Sequence, residues 1–241
     1  MFGWRARIGF ISPTPGGVPT SLVEMEMAAP EGVAFVPYFL DGPASLDLDV
    51  LTGMGPQIEL ASRAVTAKGG IDLLLMGGAP VVLANGADKC VRQMEDAGGV
   101  PATTNVHGLV NGLRRLGANR IVVVAPYYPE HLMTMVQEHL EASGLELLAV
   151  LGGAGVDFKK HKEHRPEDTY RQAKAAMIAA PEAEALVLVG GGAPTHTILQ
   201  ILETDIGRPV VANNLASLWN ALTMVSVRQP IAGYGKLLTC F

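Results

Sequence analysis

The sequence predicts an α/β protein made of two similar halves, each a parallel sheet covered by helices on both faces. One observation is that short apolar runs alternate with longer amphipathic stretches along the chain, a pattern typical of parallel sheets flanked by helices. The other is that one segment occurs twice, as IDLLLMGGAP at Ile71–Pro80 and as ALVLVGGGAP at Ala185–Pro194. The repeat indicates that both halves follow the same structural plan.

Strands are predicted at seven apolar runs, each bounded by Gly, Pro or Asn. In chain order these runs are RIGFI, VAFVPY, IDLLLM, RIVVVA, LELLAVL, EALVLVG and RPVVA. Helices are predicted where apolar residues recur at three- and four-residue spacing, and several of these stretches end at glycine, as helices do. They are PQIELASRAVTAKG, NGADKCVRQMEDAG, PEHLMTMVQEHLEASG, PEDTYRQAKAAMIAA and PTHTILQILETDIG.

The repeat extends beyond the glycine segment. IGFISP matches IVVVAPYYP, and these two runs lead to Pro13 and Pro126. The interval between the two prolines equals the interval between Gly77 and Gly190 in the repeated segment. We therefore pair Gly77 with Gly190 as equivalent positions of the two halves.

A third match gives the boundaries of the halves. GVPATTN, ending at Asn105, matches GRPVVAN, ending at Asn213, at a slightly shorter offset than the other two matches. The predicted first half consists of residues 1–105 and 214–241, and the second of residues 106–213, related by an approximate two-fold axis. Because ligands of open α/β sheets bind at the carboxyl ends of the strands, the site is expected in the cleft between the halves.

Composition narrows the classes of partner. The 241 residues are 49% apolar and 17% charged, with a net charge of −5 and no basic tract, so nucleic acid and membrane surfaces are poor partners. No apolar run approaches the roughly 18 residues of a membrane span, and the N-terminus does not fit a signal peptide. With two cysteines in the sequence, no disulfide framework is expected and a cytoplasmic location is predicted.

The glycine segments are candidate anion sites. A strand that ends in Gly-Gly before a proline presents backbone N–H groups at a helix start, which suits a carboxylate, a phosphate or an oxyanion. The alternative is that these glycines only make tight turns. Neither copy is a dinucleotide or ATP phosphate loop, so no such cofactor is expected. The predicted binding residues are Thr14, Gly77, Gly78, Ala79, Gly190, Gly191, Gly192 and Asn213.

The chain resembles the aspartate/glutamate racemase superfamily, and within it the maleate isomerase and arylmalonate decarboxylase branch. The likeness rests on IGFISP, MGGAP, PATTNVHGLVNGLRRLGANRIVVVAPYYPE, LVLVGGG, RPVVANNLASLWNAL and GYGKLL, which run nearly end to end. It implies two pseudo-symmetric α/β halves and a central site for small carboxylic acids. It also implies chemistry through an enolate or a related carbanion-like state, without cofactor or metal.

One departure from the family matters for the chemistry. Racemases of the superfamily place a cysteine at the end of each central strand, and the decarboxylase branch keeps only the second. Laid on this chain, these positions are Gly77 and Gly190, so both thiols are absent. Cys90 and Cys240 lie elsewhere in the sequence and are predicted to be incidental. The resemblance matches Tyr127 to the tyrosine that stabilises charge on the substrate.

Other residues must then move the proton. The candidates are His107, at the start of a matched helix, and His196, in the first turns of another, because histidine is the residue type that commonly serves as an acid–base catalyst. Each has the alternative of an ordinary helix-face histidine. Lys159, in the basic segment VDFKKHKEHRPED, is a predicted clamp for a substrate carboxylate or part of a solvated loop. His161 and His164 lack a convincing third ligand, so no metal site is predicted.

Two functional classes stay open at this point. The first is a cofactor-free decarboxylase, isomerase or lyase that acts on a small carboxylate through an enolate. The second is a hydrolase or hydratase in which a histidine activates water in the space left by the thiols. A non-catalytic carboxylate-binding protein is a third interpretation, and assembly into a homo-oligomer is left open.

Overall fold

Two parallel sheets form the frame of the protein. The computed structural model describes residues 3–13, 20–153 and 163–241. Within these residues each sheet has four strands, in the order β2-β1-β3-β4 and β6-β5-β7-β8, with all pairs parallel. The predicted α/β class is confirmed. The strands are β1 (Ala6–Pro13), β2 (Val33–Leu40), β3 (Leu73–Met76), β4 (Ala102–Thr104), β5 (Arg120–Ala125), β6 (Glu146–Gly152), β7 (Ala185–Leu188) and β8 (Val210–Ala212).

Helices connect the strands and cover the sheets. They are α1 (Thr20–Ala28), α2 (Leu48–Gly53), α3 (Gly55–Thr66), α4 (Ala79–Asn85), α5 (Ala87–Gly98), α6 (Asn105–Leu116), α7 (Glu130–Ala142), α8 (Pro166–Ala179), α9 (Leu199–Ile206) and α10 (Asn213–Met224). A 3₁₀ turn (Leu237–Thr239) lies near the C-terminus. No helix of the described residues is long and apolar enough to cross a membrane.

The two sheets repeat each other in hydrogen bonding as well as in strand order. In the first sheet, the Arg7 N–H donates to Asp72 Oδ2 (2.8 Å) and the Asp72 N–H donates to the Arg7 carbonyl (2.9 Å). In the second, the Arg120 N–H donates to Glu184 Oε2 (3.0 Å) and the Glu184 N–H donates to the Arg120 carbonyl (2.8 Å). The same exchange at the same edge supports the predicted duplication.

Strand register changes one detail of that duplication. Leu73 pairs with Ile8 in the first sheet and Ala185 with Ile121 in the second, so the offset between equivalent third strands is shorter by one position than that between the first strands. In register, Gly78 therefore corresponds to Gly190, and the pairing of Gly77 with Gly190 is wrong by one position. The two segments differ because more residues separate β7 from Ala193-Pro194 than separate β3 from Ala79-Pro80.

The helices α6 and α10 join the halves. Each begins directly after the last strand of one sheet, and they pack closely because Gly108 leaves room for the backbone of α10. A Cβ at Gly108 would lie 3.0 Å from the Ala216 carbonyl oxygen. Asn111 Nδ2 also donates to Asn220 Oδ1 across this contact (3.0 Å). The predicted boundaries of the halves, at the starts of these helices, stay a prediction.

Candidate active site

Tyr127 lies at the carboxyl end of the second sheet. It closely follows β5, and the Gly192 N–H, beyond the neighbouring β7, donates to its hydroxyl oxygen at 2.8 Å. The side chain is only 4% exposed, and burial raises the pKa of Tyr127 well above its ordinary value. The phenol is therefore neutral at physiological pH and keeps a proton with which to donate a hydrogen bond.

The same phenol fills the space beside Gly190. This glycine has φ +120°, and a Cβ placed on it would lie 2.6 Å from the Tyr127 hydroxyl oxygen and 2.9 Å from Cζ. A side chain at position 190 would thus meet both a strained backbone and the tyrosine ring. The family resemblance places a thiol at position 190. In this chain that position is a glycine, and the Tyr127 phenol occupies the space of its side chain.

Three backbone N–H groups at and after the second glycine segment bind groups of the protein itself. The Gly192 N–H donates to Tyr127, while the N–H groups of Thr195 and His196 donate to Glu24 Oε1, the latter at 2.9 Å. The expected helix start at Pro194 is wrong, because α9 begins only at Leu199. The Gly192 N–H thus binds a phenol, whereas substrate binding by Gly190 and Gly191 stays a prediction.

The first glycine segment is packed against β1. The Gly77 N–H donates to the Ile11 carbonyl (2.8 Å) and so extends the sheet, which removes it from the predicted set of anion donors. A Cβ on Gly77 would lie 2.9 Å from Phe10 Cζ. Gly78 has φ +76° and contacts Pro13, and Ala79 starts α4 fully buried.

Glu24 is the central residue that the sequence did not reveal. Its carboxylate lies on α1 and is 1% exposed. Beside the two backbone N–H groups, Oε1 lies 2.9 Å from His196 Nδ1, and Oε2 accepts from Thr195 Oγ1 (3.1 Å) and Asn214 Nδ2 (2.8 Å). A buried carboxylate requires such donors. Glu24 thus ties α1, the loop before α9 and the start of α10 together.

His196 is held by one ring nitrogen. With Nδ1 bonded to the Glu24 carboxylate, the neutral ring carries its proton on Nδ1 and leaves Nε2 as the basic nitrogen. The side chain is 23% exposed, whereas that of Glu24 is buried. This arrangement, an imidazole oriented by a buried carboxylate, suits proton transfer at Nε2.

A row of amides extends from Glu24 to the end of β4. Asn214 Nδ2 also donates to the Gly191 carbonyl (3.2 Å), Asn213 Nδ2 donates to Asn214 Oδ1 (3.1 Å), and Asn105 Nδ2 donates to Asn213 Oδ1 (2.9 Å). Asn105 and Asn213 directly follow the last strands of the two sheets. The structure thus places the predicted residue Asn213 beside Gly191, and adds Asn105 and Asn214. The sequence held a signal for Asn105, because Asn105 and Asn213 end two matched segments.

His107 has hydrogen-bond partners of its own. Its Nδ1 hydrogen-bonds with Thr104 Oγ1 (2.8 Å), its Nε2 with Asp88 Oδ1 (3.0 Å), and its ring centroid is 6.4 Å from that of His139. These contacts join His107 to α5 and α7 and occupy both of its ring nitrogens. The expectation that His107 works beside Tyr127 stays a prediction.

The remaining residues singled out in the sequence either lie outside the described residues or have contacts of their own. Thr14, Lys159 and His161 lie outside the described residues. Cys90 is buried in α5, where burial raises the pKa of its thiol to about 11, and Cys240 lies next to the C-terminal residue. His164 Nε2 hydrogen-bonds with Thr169 Oγ1 (2.7 Å). Among residues 3–13, 20–153 and 163–241, no three His, Cys, Asp or Glu side chains gather as metal ligands do.

The fold defines a class of protein, the α/β proteins built from two four-stranded parallel sheets with flanking helices. The model of the arylmalonate decarboxylase family matches residues 10–238, and the chain belongs to that family. The branch expected from the sequence motifs is thereby confirmed.

Individual relatives agree with this membership. The chain is 29% identical over 152 residues to the arylmalonate decarboxylase of Bordetella bronchiseptica, covering 60% of each protein. It is 24% identical over 147 residues to the maleate isomerase of Geobacillus stearothermophilus, covering 60% of this chain and 57% of that one. The matched part thus spans less than two thirds of these relatives.

Solved structures resemble the fold over nearly its whole length. The maleate isomerase Iso from Pseudomonas putida S16 superposes with a TM-score of 0.82 at 22% identity, covering 97% of this chain and 98% of that one. Unliganded arylmalonate decarboxylase gives a TM-score of 0.80 at 20% identity, with the same coverage. At these identities the likeness establishes the fold.

Proposed function

We propose that this protein is a cofactor-independent enzyme that breaks or rearranges a bond next to the carboxylate of a small carboxylic acid through an enolate-type intermediate. The observation that carries the proposal is the Tyr127 phenol, bonded to the Gly192 N–H and occupying the space beside Gly190. The family of the chain, whose relatives include an arylmalonate decarboxylase and a maleate isomerase, supports the same class of reaction.

Tyr127 stabilises the charge that develops on the substrate. When a bond next to a carboxylate breaks and leaves its electrons behind, negative charge spreads onto the carboxylate oxygens. A neutral phenol polarised by a backbone N–H is a strong donor to such an oxygen. Because its raised pKa keeps the phenol protonated, Tyr127 acts as a hydrogen-bond donor and not as a base. One such donor typically contributes about 2.7–4 kcal/mol to the transition state.

His196 moves the proton. An enolate formed by loss of CO2 needs one proton at carbon, and the imidazolium of His196 supplies it from Nε2. Glu24 supports this role in two ways: it orients the ring through Nδ1 and stabilises its positive charge. His196 and Tyr127 belong to one connected network, since Asn214 bonds both Glu24 and the Gly191 carbonyl next to Gly192.

In this mechanism no thiol takes part. Gly77 directly follows β3 and Gly190 lies two residues beyond the end of β7, and neither Cys90 nor Cys240 follows a central strand. A buried thiol with a pKa of about 11 is also protonated at neutral pH and a poor nucleophile. The proposed chemistry thus keeps the anion stabilisation of the family and replaces its proton donor.

The test is a substrate panel with product analysis. Purified protein is incubated with phenylmalonate, methylmalonate, maleate and small lactones in H₂¹⁸O, and products are followed by NMR and mass spectrometry. We expect loss of CO2 from a malonate or isomerisation of maleate, with no ¹⁸O gained at the product carbon. Incorporation of ¹⁸O from a lactone or an alkene would favour the hydrolase or hydratase, and a panel left unchanged would contradict the proposed activity.

The same panel identifies the residues involved. Tyr127→Phe and His196→Ala should each lose most of the turnover. His131→Ala is the matched control, because His131 lies on α7, its Nε2 bonds the Leu46 carbonyl at 2.9 Å, and no hydrogen bond among the described residues joins it to Glu24 or His196. Equal loss in the control would point to damaged folding and not to a catalytic role.

A further inference from the structure

The amides between Glu24 and Asn105 all point their donors in one direction. Glu24 Oε2 can only accept from Asn214, so Asn214 presents Nδ2 to the carboxylate and Oδ1 to its other neighbour. Asn213 must then donate to Asn214, and its own Oδ1 faces Asn105. Asn105 donates in turn to Asn213. The buried carboxylate thereby determines the orientation of three side-chain amides in sequence.

The last member of this row is an acceptor without a donor. Asn105 is 1% exposed, and its Oδ1 has no hydrogen-bond partner among the residues that the structure describes. Exchanging the positions of the Asn105 amide oxygen and nitrogen would not remove the problem. Nδ2 would then lose its bond to Asn213 Oδ1, and the Oδ1 atoms of the two residues would face each other. A buried acceptor left unpaired is unfavourable, because it has lost its hydrogen bonds to water and gained none from the protein.

The unpaired oxygen belongs to the proposed site by position. Asn105 directly follows β4, at the carboxyl edge of the first sheet where ligands of such folds bind. Its partner Asn213 is close to the glycine segment of the second sheet, since a Cβ on Gly191 would lie 3.6 Å from Asn213 Nδ2. Asn105 is thus the point at which the network of Tyr127, Glu24 and His196 reaches the carboxyl edge of the first sheet.

We propose that Asn105 Oδ1 accepts a hydrogen bond from the substrate, and that the enzyme therefore selects small carboxylic acids that carry a hydroxyl or amino group beside the reacting carbon. This inference rests on the proposed function and names its substrate class. A site that contains a buried acceptor discriminates against an analogue whose methyl group replaces the donor, because that analogue leaves the acceptor unpaired. Glu24 acts here as a positioning residue, since it determines that position 105 presents an oxygen.

Hydroxymalonate and methylmalonate provide the test, because they share charge and approximate size and differ in one donor. Their binding to the full chain is measured by isothermal titration calorimetry, for the wild type and for Asn105→Leu. The control is Asn111→Leu, which removes a similar amide from the same helix, bonded to Asn220 and outside the row. Circular dichroism establishes folding, and Asn105→Ala replaces Asn105→Leu should the latter not fold.

We expect the wild type and Asn111→Leu to bind hydroxymalonate at least about tenfold more tightly than methylmalonate, and Asn105→Leu to lose this preference. In crystals of the wild type with hydroxymalonate, the hydroxyl oxygen should lie within about 3.2 Å of Asn105 Oδ1. Equal binding of the two acids, or a preference that survives in Asn105→Leu, would overturn the inference and leave the proposed function standing. Binding of neither acid would overturn the proposed function itself.

Discussion

Glu24 and His196 form a pair at the end of the second sheet, with the carboxylate Oε1 2.9 Å from the imidazole Nδ1. The two residues are far apart in the sequence and meet where the N–H groups of Thr195 and His196, in the loop before α9, donate to the Glu24 carboxylate on α1. The carboxylate is buried and the imidazole is partly exposed. This geometry is the basis of the role that we propose for His196.

Tyr127→Phe removes the phenolic donor and keeps the ring that packs beside Gly190. We expect kcat/KM to fall by about 10²–10³, the typical effect of losing one oxyanion donor. The protein should stay folded because the ring remains in place, with a lower Tm because the Gly192 N–H loses its acceptor. Steady-state kinetics on the best acid of the panel checks this expectation, and a Tyr127→Phe enzyme with unchanged kcat/KM would show that the phenol does not bind the developing charge.

Gly190→Ala tests whether the phenol occupies the side-chain space at position 190. Both Gly190 and Gly144 have positive φ, but a Cβ at Gly144 meets nothing within 4 Å, whereas one at Gly190 meets the Tyr127 hydroxyl. Gly190→Ala should therefore lower the free energy of unfolding by about 1–3 kcal/mol more than Gly144→Ala, the usual cost of overpacking. Urea denaturation gives both values. Equal losses would mean that the space beside Gly190 is open.

The contact between position 190 and Tyr127 also predicts the effect of an engineered cysteine at that position. Gly190→Cys would place its Sγ beyond a Cβ that already contacts the phenol, so we expect this variant to be destabilised and not to gain thiol-dependent proton transfer. Gly77 lacks a positive φ, and the atom nearest its Cβ position belongs to the Phe10 ring. Gly77→Cys should therefore fold better, as differential scanning fluorimetry of the two variants would show.

His139 makes stability depend on pH. Burial lowers its pKa below the ordinary 6.5, with His107 nearby as a second cause, so the unfolded chain takes up a proton more readily than the folded chain. The stabilisation is present above pH 6.5 and is lost as the pH falls below that value. His139→Leu should reduce the fall in Tm between about pH 7.5 and 5.5, while His131→Leu should not. A fall of the same size in both variants would assign the effect to other groups.

Alkylation of cysteine should leave activity intact. Cys90 has no exposed surface and its thiol has a pKa of about 11, so little thiolate exists near neutral pH. Cys240 is more accessible, but it lies near the C-terminus. Treatment with iodoacetamide, followed by mass spectrometry and an activity assay, checks both sites. Inactivation that disappears in a Cys90→Ser variant would mean that this thiol is catalytic after all.

Much of the fold followed from the sequence because buried parallel strands have a clear pattern. Runs such as IDLLLM and RIVVVA are apolar on both faces, and the duplicated segments predicted the repeat of the two sheets. The strand β4 was not among the predicted runs, since it is very short. The pairing of Gly77 with Gly190 was wrong by one position, because a match of residue types does not show where one segment has an additional residue.

The site was harder to predict for a physical reason. The helix α1 buries Leu22, Glu24, Met25 and Ala28, and a carboxylate on its buried face hides the apolar periodicity by which helices are found. The partners of Glu24 lie in the last quarter of the chain, so no local spacing links them. His107 was placed first because it lies at the start of a matched helix, and the sequence did not reveal that Thr104 and Asp88 bond both of its ring nitrogens.

The central claim is that His196, oriented by Glu24, supplies the proton that thiols supply in the resembled family. The most direct test is the activity of His196→Ala on the acid that the wild type converts, measured with and without added imidazole. We predict a loss in kcat of about 10²–10⁴ with KM little changed, and partial recovery as imidazole enters the space left by the side chain. A His196→Ala enzyme that retains the wild-type kcat, or one that is inactive, folded and unaffected by imidazole at every concentration, would contradict the account.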